Sequence, residues 1–572
     1  MKPVRLQADA DGMVQVFHEN RVHFDLLSLD QLRQAMVDAQ QELARLTDHF
    51  ATDNPGNDHR QRMTWLFTPD YRRPDNLQGI FRWLYLVRIT QKVMAECRTE
   101  AVQAGKEVPS WVIQRLRGEG IATSQPGEWS QRIKAVLLPA RDWRDLFRFV
   151  VHSTRVRARS GPELDHPDED NRPVVLLKRP AKGIEVRYGP LSEALDAAGY
   201  RVVFQNFDQE DHVEQGSDHW KIYPWMRLSD VIGACTDARH CRKRLRGSRR
   251  TCPAELADIE PAFTPSFFGL ARRALQYRLW RKSLEQVGPP RAAISVSSLN
   301  KPFDRLHFQA LKTSGVPVCI VLPRPMTRLR PAEELIRADL ESAQSLPDHF
   351  IVRDNSARQR LQSWAIDENE VSEGVPRTNR ATTHELHQPT DRTRVLILLP
   401  ARESENLQLI ELVAEALSTR PTIDSVEVFI KGHPNSGLRT TERDLAVRHF
   451  ADQWEDVSTR DIDALVHART LAVTSSSTAL IEAALSGAAA LWAPWFSELA
   501  LPQLEFMENT GEVAKDHMTF VERLAILVNE RGELDQLQKV SFTRTSEAYG
   551  LQTTIPEAAI KWLHALEMGA KV

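Results

Sequence analysis

From residue 172 onward the chain repeats one unit, and this repetition narrows the possible folds more than any other feature. The unit is a short apolar run, a loop, an amphipathic stretch and another apolar run. It first occurs as RPVVLLK (172–178), the loop 181–189, an amphipathic stretch over 190–198 and an apolar run over 200–204. It returns as AAISVSS (292–298), 303–314 and VPVCIVLP (316–323), then as HFIVRDN (349–355) and 356–364. A second series holds TRVLILLP (393–400), 406–419, SVEVFIKGHPN (425–435), 440–450, TLAVTSSS (470–477), 478–485 and AAALWAPW (488–495). Strands alternating with helices in this way predict right-handed crossovers and parallel, doubly wound sheets. Two successive α/β halves are therefore expected, at 172–377 and 392–572, joined through the Thr-, His-, Pro- and charge-rich stretch 378–391. The last amphipathic stretch, 555–568, is free to cross back onto the first half.

Before residue 160 the pattern changes. Residues 28–51 carry Leu29, Leu32, Met36, Ala39, Leu43 and Leu46 at spacings of three and four, with Ser28 and Gln31 placed for a capping box. Helical patterns also cover 77–101 and 129–151, and large aromatics such as Trp65, Trp83, Trp111, Trp129 and Trp143 read as core. A mostly helical domain over 1–158 is expected, followed by the Pro-, Gly- and Asp-rich linker 160–171. At 572 residues, 42% hydrophobic and 26% charged, the chain has ample material for several folded domains. Its 74 Lys+Arg against 77 Asp+Glu lack the excess of a dedicated nucleic-acid binder. The five cysteines form no CxxC pair, which gives no support to a structural zinc site or a disulfide framework. The first residues lack the apolar core of a signal peptide, and no uncharged apolar stretch reaches about 18 residues. A cytoplasmic location is expected. Motifs for dinucleotide binding, P-loop hydrolysis, serine hydrolysis and zincin chemistry are missing from the sequence, as is any metal-ligand cluster.

Parallel sheets place ligand-binding residues at the carboxyl ends of strands. Two such ends in the second half stand out. Lys431-Gly432-His433-Pro434-Asn435 follows an apolar strand: Gly permits close backbone approach, Lys and His can donate to phosphate oxygens, and Pro fixes the turn. Thr474-Ser475-Ser476-Ser477-Thr478 follows the next strand and precedes a helix, where hydroxyls and backbone N–H groups suit an anion. Glu482 lies one turn further on, placed for a ribose diol.

With these two motifs the chain resembles GT-B glycosyltransferases of bacterial surface-polysaccharide synthesis, which have two Rossmann-like domains. More narrowly, the His-Pro and Ser/Thr segments are similar to those of capsule Kdo transferases, polysialyltransferases and CDP-glycerol glycerophosphotransferases. The resemblance spans about residues 172–500. It implies that Lys431, His433, Ser475, Ser476 and Ser477 contact the phosphate of a cytidine nucleotide donor, with Gly432, Pro434, Asn435, Thr474 and Thr478 shaping the site and Glu482 near the ribose. Glu185, in the loop after the first strand, corresponds to a catalytic Glu of Kdo transferases, so Glu185 and His433 are the candidate catalytic residues. Asp208, Glu210, Asp211 and Asp304 remain rivals for the base. No clean copy of the acidic Asp/Glu-Asp/Glu-Gly motif of polysialyltransferases occurs. The implied activity is inverting, metal-independent transfer of a Kdo- or sialic-acid-like sugar to a lipid-linked or polysaccharide acceptor in capsule or lipopolysaccharide synthesis. The alternatives are a CDP-glycerol-type glycerophosphotransferase and a non-catalytic polysaccharide-assembly protein. No cofactor is expected beyond the nucleotide-sugar substrate.

One charge run adds a partner. Arg239, Arg242, Lys243, Arg244, Arg246, Arg249 and Arg250 fall within 12 residues. Such a cluster suits the anionic inner face of the cytoplasmic membrane, and no interleaved aromatics point to nucleic acid. The stretch Ser297-Ser298-Leu299-Asn300-Lys301 is a candidate lining of the acceptor side.

Overall fold

A computed structural model of the chain describes residues 2–8, 14–19, 21–52, 80–124, 144, 147–151, 154–155, 172–178, 191–205, 220, 222–248, 267–296, 302–322, 346–363, 366–374, 392–419, 426–434, 436–497, 500, 507–549 and 553–568. Three sheets organise them. The first holds β1 (Val4–Ala8), β2 (Val14–His18), β3 (Arg21–Val22), β4 (Ala101–Ala104) and β5 (Ala122–Ser124) in the order β3-β2-β1-β4-β5. β1, β2 and β3 pair antiparallel, whereas β4 and β5 add in parallel.

This sheet adds a β component to the helices expected in the N-terminal part. The helices Leu29–Thr52, Ile80–Cys97 and Ser110–Gly118 are present, but they accompany five strands. The signal was short-range alternation: Val4 and Leu6, then Val14 and Val16, are buried with polar neighbours between them. Strands this short are easily hidden beside a 24-residue helix. Buried Glu42 ties the unit together, binding Arg88 at 2.7 Å and Arg115 at 2.6 Å.

The second sheet contains β6 (Val174–Lys178), β7 (Arg201–Gln205), β8 (Ala292–Val296), β9 (Val318–Val321), β10 (His349–Val352) and β11 (Val371–Glu373), ordered β11-β10-β9-β8-β6-β7. The third contains β12 (Thr393–Leu398), β13 (Val426–Lys431), β14 (Trp454–Asp456), β15 (Thr470–Thr474), β16 (Ala489–Trp492) and β17 (Glu512–Val513), ordered β14-β13-β12-β15-β16-β17. Every pairing in both is parallel. β8, β9, β10, β15 and β16 are buried at every residue, as strands covered on both faces must be. Each order reverses once, between β6 and β8 and between β12 and β15. Those reversals are the switch points where open α/β sheets leave a crevice. Among the described residues no helix is long and apolar enough to cross a membrane.

The halves are bound together. The helix Ile555–Glu567, started by Thr554 and Glu557 in a capping box with a proline in its first turn, returns to the second sheet. Its Ile555, Ala559 and Trp562 pack with Val175, Ile294 and Ile351. Tyr200 donates its hydroxyl to Glu567 at 2.9 Å, and Arg291 donates to the Leu566 carbonyl at 2.9 Å. The short helix His23–Leu26 packs against the turn Pro494–Phe496, which follows β16 of the third sheet.

Burial in the second sheet has a consequence for pH. His349 lies on β10 with Nε2 2.7 Å from Ser372 Oγ and its ring stacked on Trp562 at 5.8 Å. Burial lowers its pKa from 6.5 to about 4, and burial lowers that of His307 well below its usual value. At these two histidines the unfolded chain binds protons that the folded chain refuses, so their contribution to stability rises with pH, for His349 between about 4 and about 6.5, and is level above. The His349 share of that rise is about 3 kcal/mol. Urea titrations across this window should show a smaller rise for His349→Phe than for the parent chain. An equal rise in both would assign the pH dependence elsewhere.

Candidate functional site

The carboxyl ends of β12, β13 and β15 are stitched into one surface. The Leu399 amide donates to the Lys431 carbonyl at 3.0 Å, joining the ends of β12 and β13. Thr474 donates its hydroxyl to the Leu398 carbonyl at 2.6 Å, joining the ends of β15 and β12 across the switch point. Both expected motifs thus flank the carboxyl end of β12.

After β13 the chain makes a tight turn. The His433 carbonyl accepts from the amides of Ser436 at 3.0 Å and Gly437 at 2.8 Å. Gly432 is demanded by sterics, because a Cβ there would lie 2.4 Å from the Gly437 carbonyl carbon. Its amide donates to Ser458 Oγ at 3.0 Å, and Ser458 in turn donates to Asp456 at 2.5 Å. Lys431 donates to the carbonyls of Ser458, at 3.1 Å, and of Arg460. Burial pulls the Lys431 ammonium below its usual value against the attraction of Asp461, Glu482 and Asp456. His433 is half-buried and Pro434 exposed.

The Ser/Thr segment turns inward more than its composition suggests. Thr474, Ser475 and Ser476 are buried. Ser475 and Ser476 donate their hydroxyls to Glu405 Oε2 at 3.4 and 3.3 Å, and Ser497 joins them at 2.8 Å. The other Glu405 oxygen pairs with Arg402 at 3.3 Å. Ser477 and Thr478 are half-buried, and Thr478 begins the seven-residue helix Ala479–Leu485 without a side-chain cap. Beside this network Asn406 donates to Glu442 at 2.6 Å, which also accepts from the Arg439 amide at 2.7 Å.

Glu482 faces the other half. Its Oε1 lies 3.7 Å from Nη2 of Arg353, the residue that follows β10. The carboxyl ends of the second and third sheets therefore approach each other at this pair.

Sequence reasoning missed Arg402, Glu405, Ser497, Ser458 and Arg353. A signal was available for two of them: Arg402 and Glu405 lie just beyond the carboxyl end of β12, the strand whose last residue, Leu398, is in register with Lys431 of β13. Glu185, Asn435, Asp208, Glu210, Asp211 and the stretch 297–301 lie outside the described residues, as does the side chain of Asp304.

Neither a protein-family model nor a curated protein matches the chain. Among solved structures it is similar to a UDP-GlcNAc 2-epimerase from Neisseria meningitidis bound to UDP-GlcNAc, at 11% identity over 69% of this chain and 100% of that one, with a TM-score of 0.41. It is also similar to Anabaena HepE in complex with UDP and glucose, at 11% identity over 70% and 100% with a TM-score of 0.39. A third is the α,α-trehalose 6-phosphate synthase from Burkholderia multivorans, at 11% identity over 70% and 99% with a TM-score of 0.40. Likeness at this level transfers no residue roles, and the chemistry rests on the side chains described above.

Proposed function

We propose that the chain is a nucleotide-sugar-dependent glycosyltransferase whose donor phosphate sits at the carboxyl ends of β12, β13 and β15. What supports this reading is the position of the Lys431–His433 turn and the Ser/Thr turn on either side of the end of β12, with Glu482 paired to Arg353 of the other half. A phosphate there would meet a tight turn that can close only because Gly432 has no Cβ. Lys431 and His433 supply positive charge or hydrogen bonds to the nucleotide as it leaves. Glu482, held near Arg353, is the group closest in kind to a ribose ligand. In the first half, Glu185, which follows β6 in the sequence, would deprotonate the acceptor hydroxyl. By the family resemblance the donor is a CMP-linked Kdo- or sialic-acid-like sugar, the transfer is inverting and metal-independent, and the acceptor is lipid-linked or a polysaccharide.

Nucleotide-dependent thermal stabilisation tests the donor site. CMP or CDP should raise the melting temperature, since ligand at about 100 times Kd adds about 2.7 kcal/mol. His433→Ala should weaken that nucleotide about tenfold, the cost of one hydrogen bond to a charged group. Stabilisation by UDP or GDP alone would reassign the base, and no response to any of the four would sink the transferase reading.

A further inference from the structure

The helix Leu228–Ser248 presents two different faces. Val231, Ala234, Ala238 and Cys241 enter the core beside the second sheet. Asp230 and Asp237 bind Lys282 at 2.9 Å and Arg278 at 2.8 Å on the neighbouring helix Phe267–Val287. Away from those contacts Leu228 is 70% exposed and Ile232 59% exposed. At 3.6 residues per turn, Leu228, Ile232, Thr236, Arg239 and Lys243 fall in one stripe along the helix, and all five are exposed. The stripe is apolar in its first turns and cationic in its later ones. The sequence then continues the positive charge with Arg244, Arg246, Arg249 and Arg250.

A second apolar pair lies at the cationic end. In the helical turn 147–151, Phe149 is buried and meets Phe268 edge-on at 6.3 Å, while Phe147 is 71% and Val150 40% exposed. The ion pairs 230–282 and 237–278 make the two long helices antiparallel. Phe268, at the start of its helix, therefore lies beside the basic end of Leu228–Ser248. Exposed apolar side chains thus occur both in the first turns of this helix and near its later, cationic end.

We propose that this face docks on an anionic lipid bilayer, with Leu228, Ile232, Phe147 and Val150 entering the interface and Arg239 and Lys243 meeting headgroup phosphates. Apolar insertion and cation–headgroup attraction reinforce each other at a membrane surface. A nucleic acid would use the cations but gains nothing from aliphatic Leu228, Ile232 and Val150, and a purely apolar protein partner would leave the cations desolvated. Such docking deepens the transfer reading by carrying the acceptor side to a membrane. Vesicle binding needs no nucleotide, so either one can fail without the other.

The test is sedimentation of the full chain with phosphatidylcholine vesicles and with vesicles that also contain phosphatidylglycerol. Binding is expected to the anionic vesicles only and to weaken as salt is raised. Arg239→Ala with Lys243→Ala should weaken it about 25-fold, from roughly fivefold per cation. Leu228→Asp with Ile232→Asp should abolish it, and both positions are exposed enough to leave folding unchanged, which retained thermal stability checks. Equal binding to neutral vesicles, or retention by both double variants, would overturn the assignment. So would failure to bind vesicles, whether accompanied by oligonucleotide binding through the same residues or by a dimer that Leu228→Asp dissociates.

Discussion

Glu405→Ala is expected to lower the free energy of unfolding by about 3–5 kcal/mol, the range for breaking a buried charged network from one side. Glu405 is only 4% exposed, and its carboxylate accepts from Ser475, Ser476 and Ser497 while pairing with Arg402. Truncation takes the acceptor from three hydroxyls and the counter-charge from a nearly buried guanidinium. These groups come from the ends of β12, β15 and β16, so the loss spreads over the whole switch point. Glu405→Gln keeps the shape and one acceptor oxygen, and should cost about half as much. The readout is the urea midpoint at unchanged slope, where a larger shift for alanine than for glutamine is expected. A shift below about 1 kcal/mol in both variants would mean that these strand ends are held by the backbone ladder alone.

The two α/β halves were legible because each strand of a doubly covered parallel sheet is a short, unbroken apolar run. TRVLILLP and TLAVT have no other reading at their length once amphipathic stretches separate them. The N-terminal sheet was not, because VRLQA and VQVFH are five-residue runs interrupted by Arg5, Gln7 and Gln15, too short to outweigh the helices around them. The Lys431–His433 turn was legible for a local reason: glycine between a lysine and a histidine after a strand marks close backbone approach. Side-chain direction in the Ser/Thr segment was not local. It is set by Glu405, 70 residues earlier in the chain, whose buried charge draws Ser475 and Ser476 inward. Hydroxyl-rich composition announces a polar site but does not say which side of the backbone will use it. The return of the last helix is also non-local, fixed by Ile555 and Trp562 finding the strands near Val175 and Ile351.

Gly432→Ala should remove nucleotide binding while leaving most of the fold intact. The new Cβ would lie 2.4 Å from the Gly437 carbonyl carbon, 2.5 Å from its oxygen and 2.6 Å from the Leu438 nitrogen. All three are backbone atoms, so no side chain can swing aside to make room. The turn must open, and opening it strains the bond from the Gly437 amide to the His433 carbonyl and moves the His433 ring. Overpacking of this kind costs about 1–3 kcal/mol in stability. The larger effect falls on binding, because a displacement of about 1 Å in positioning groups can cost about a hundredfold in function. Gly437→Ala is the informative control. Gly437 has a φ of +62°, but a Cβ there meets nothing within 4 Å, so alanine pays about 1–2 kcal/mol of left-handed strain without filling the turn. If the donor phosphate sits against the Gly432 backbone, nucleotide-dependent stabilisation disappears in Gly432→Ala and survives in Gly437→Ala. Equal loss in both would attribute the effect to destabilisation of the turn, and equal survival would move the phosphate away from β13 altogether.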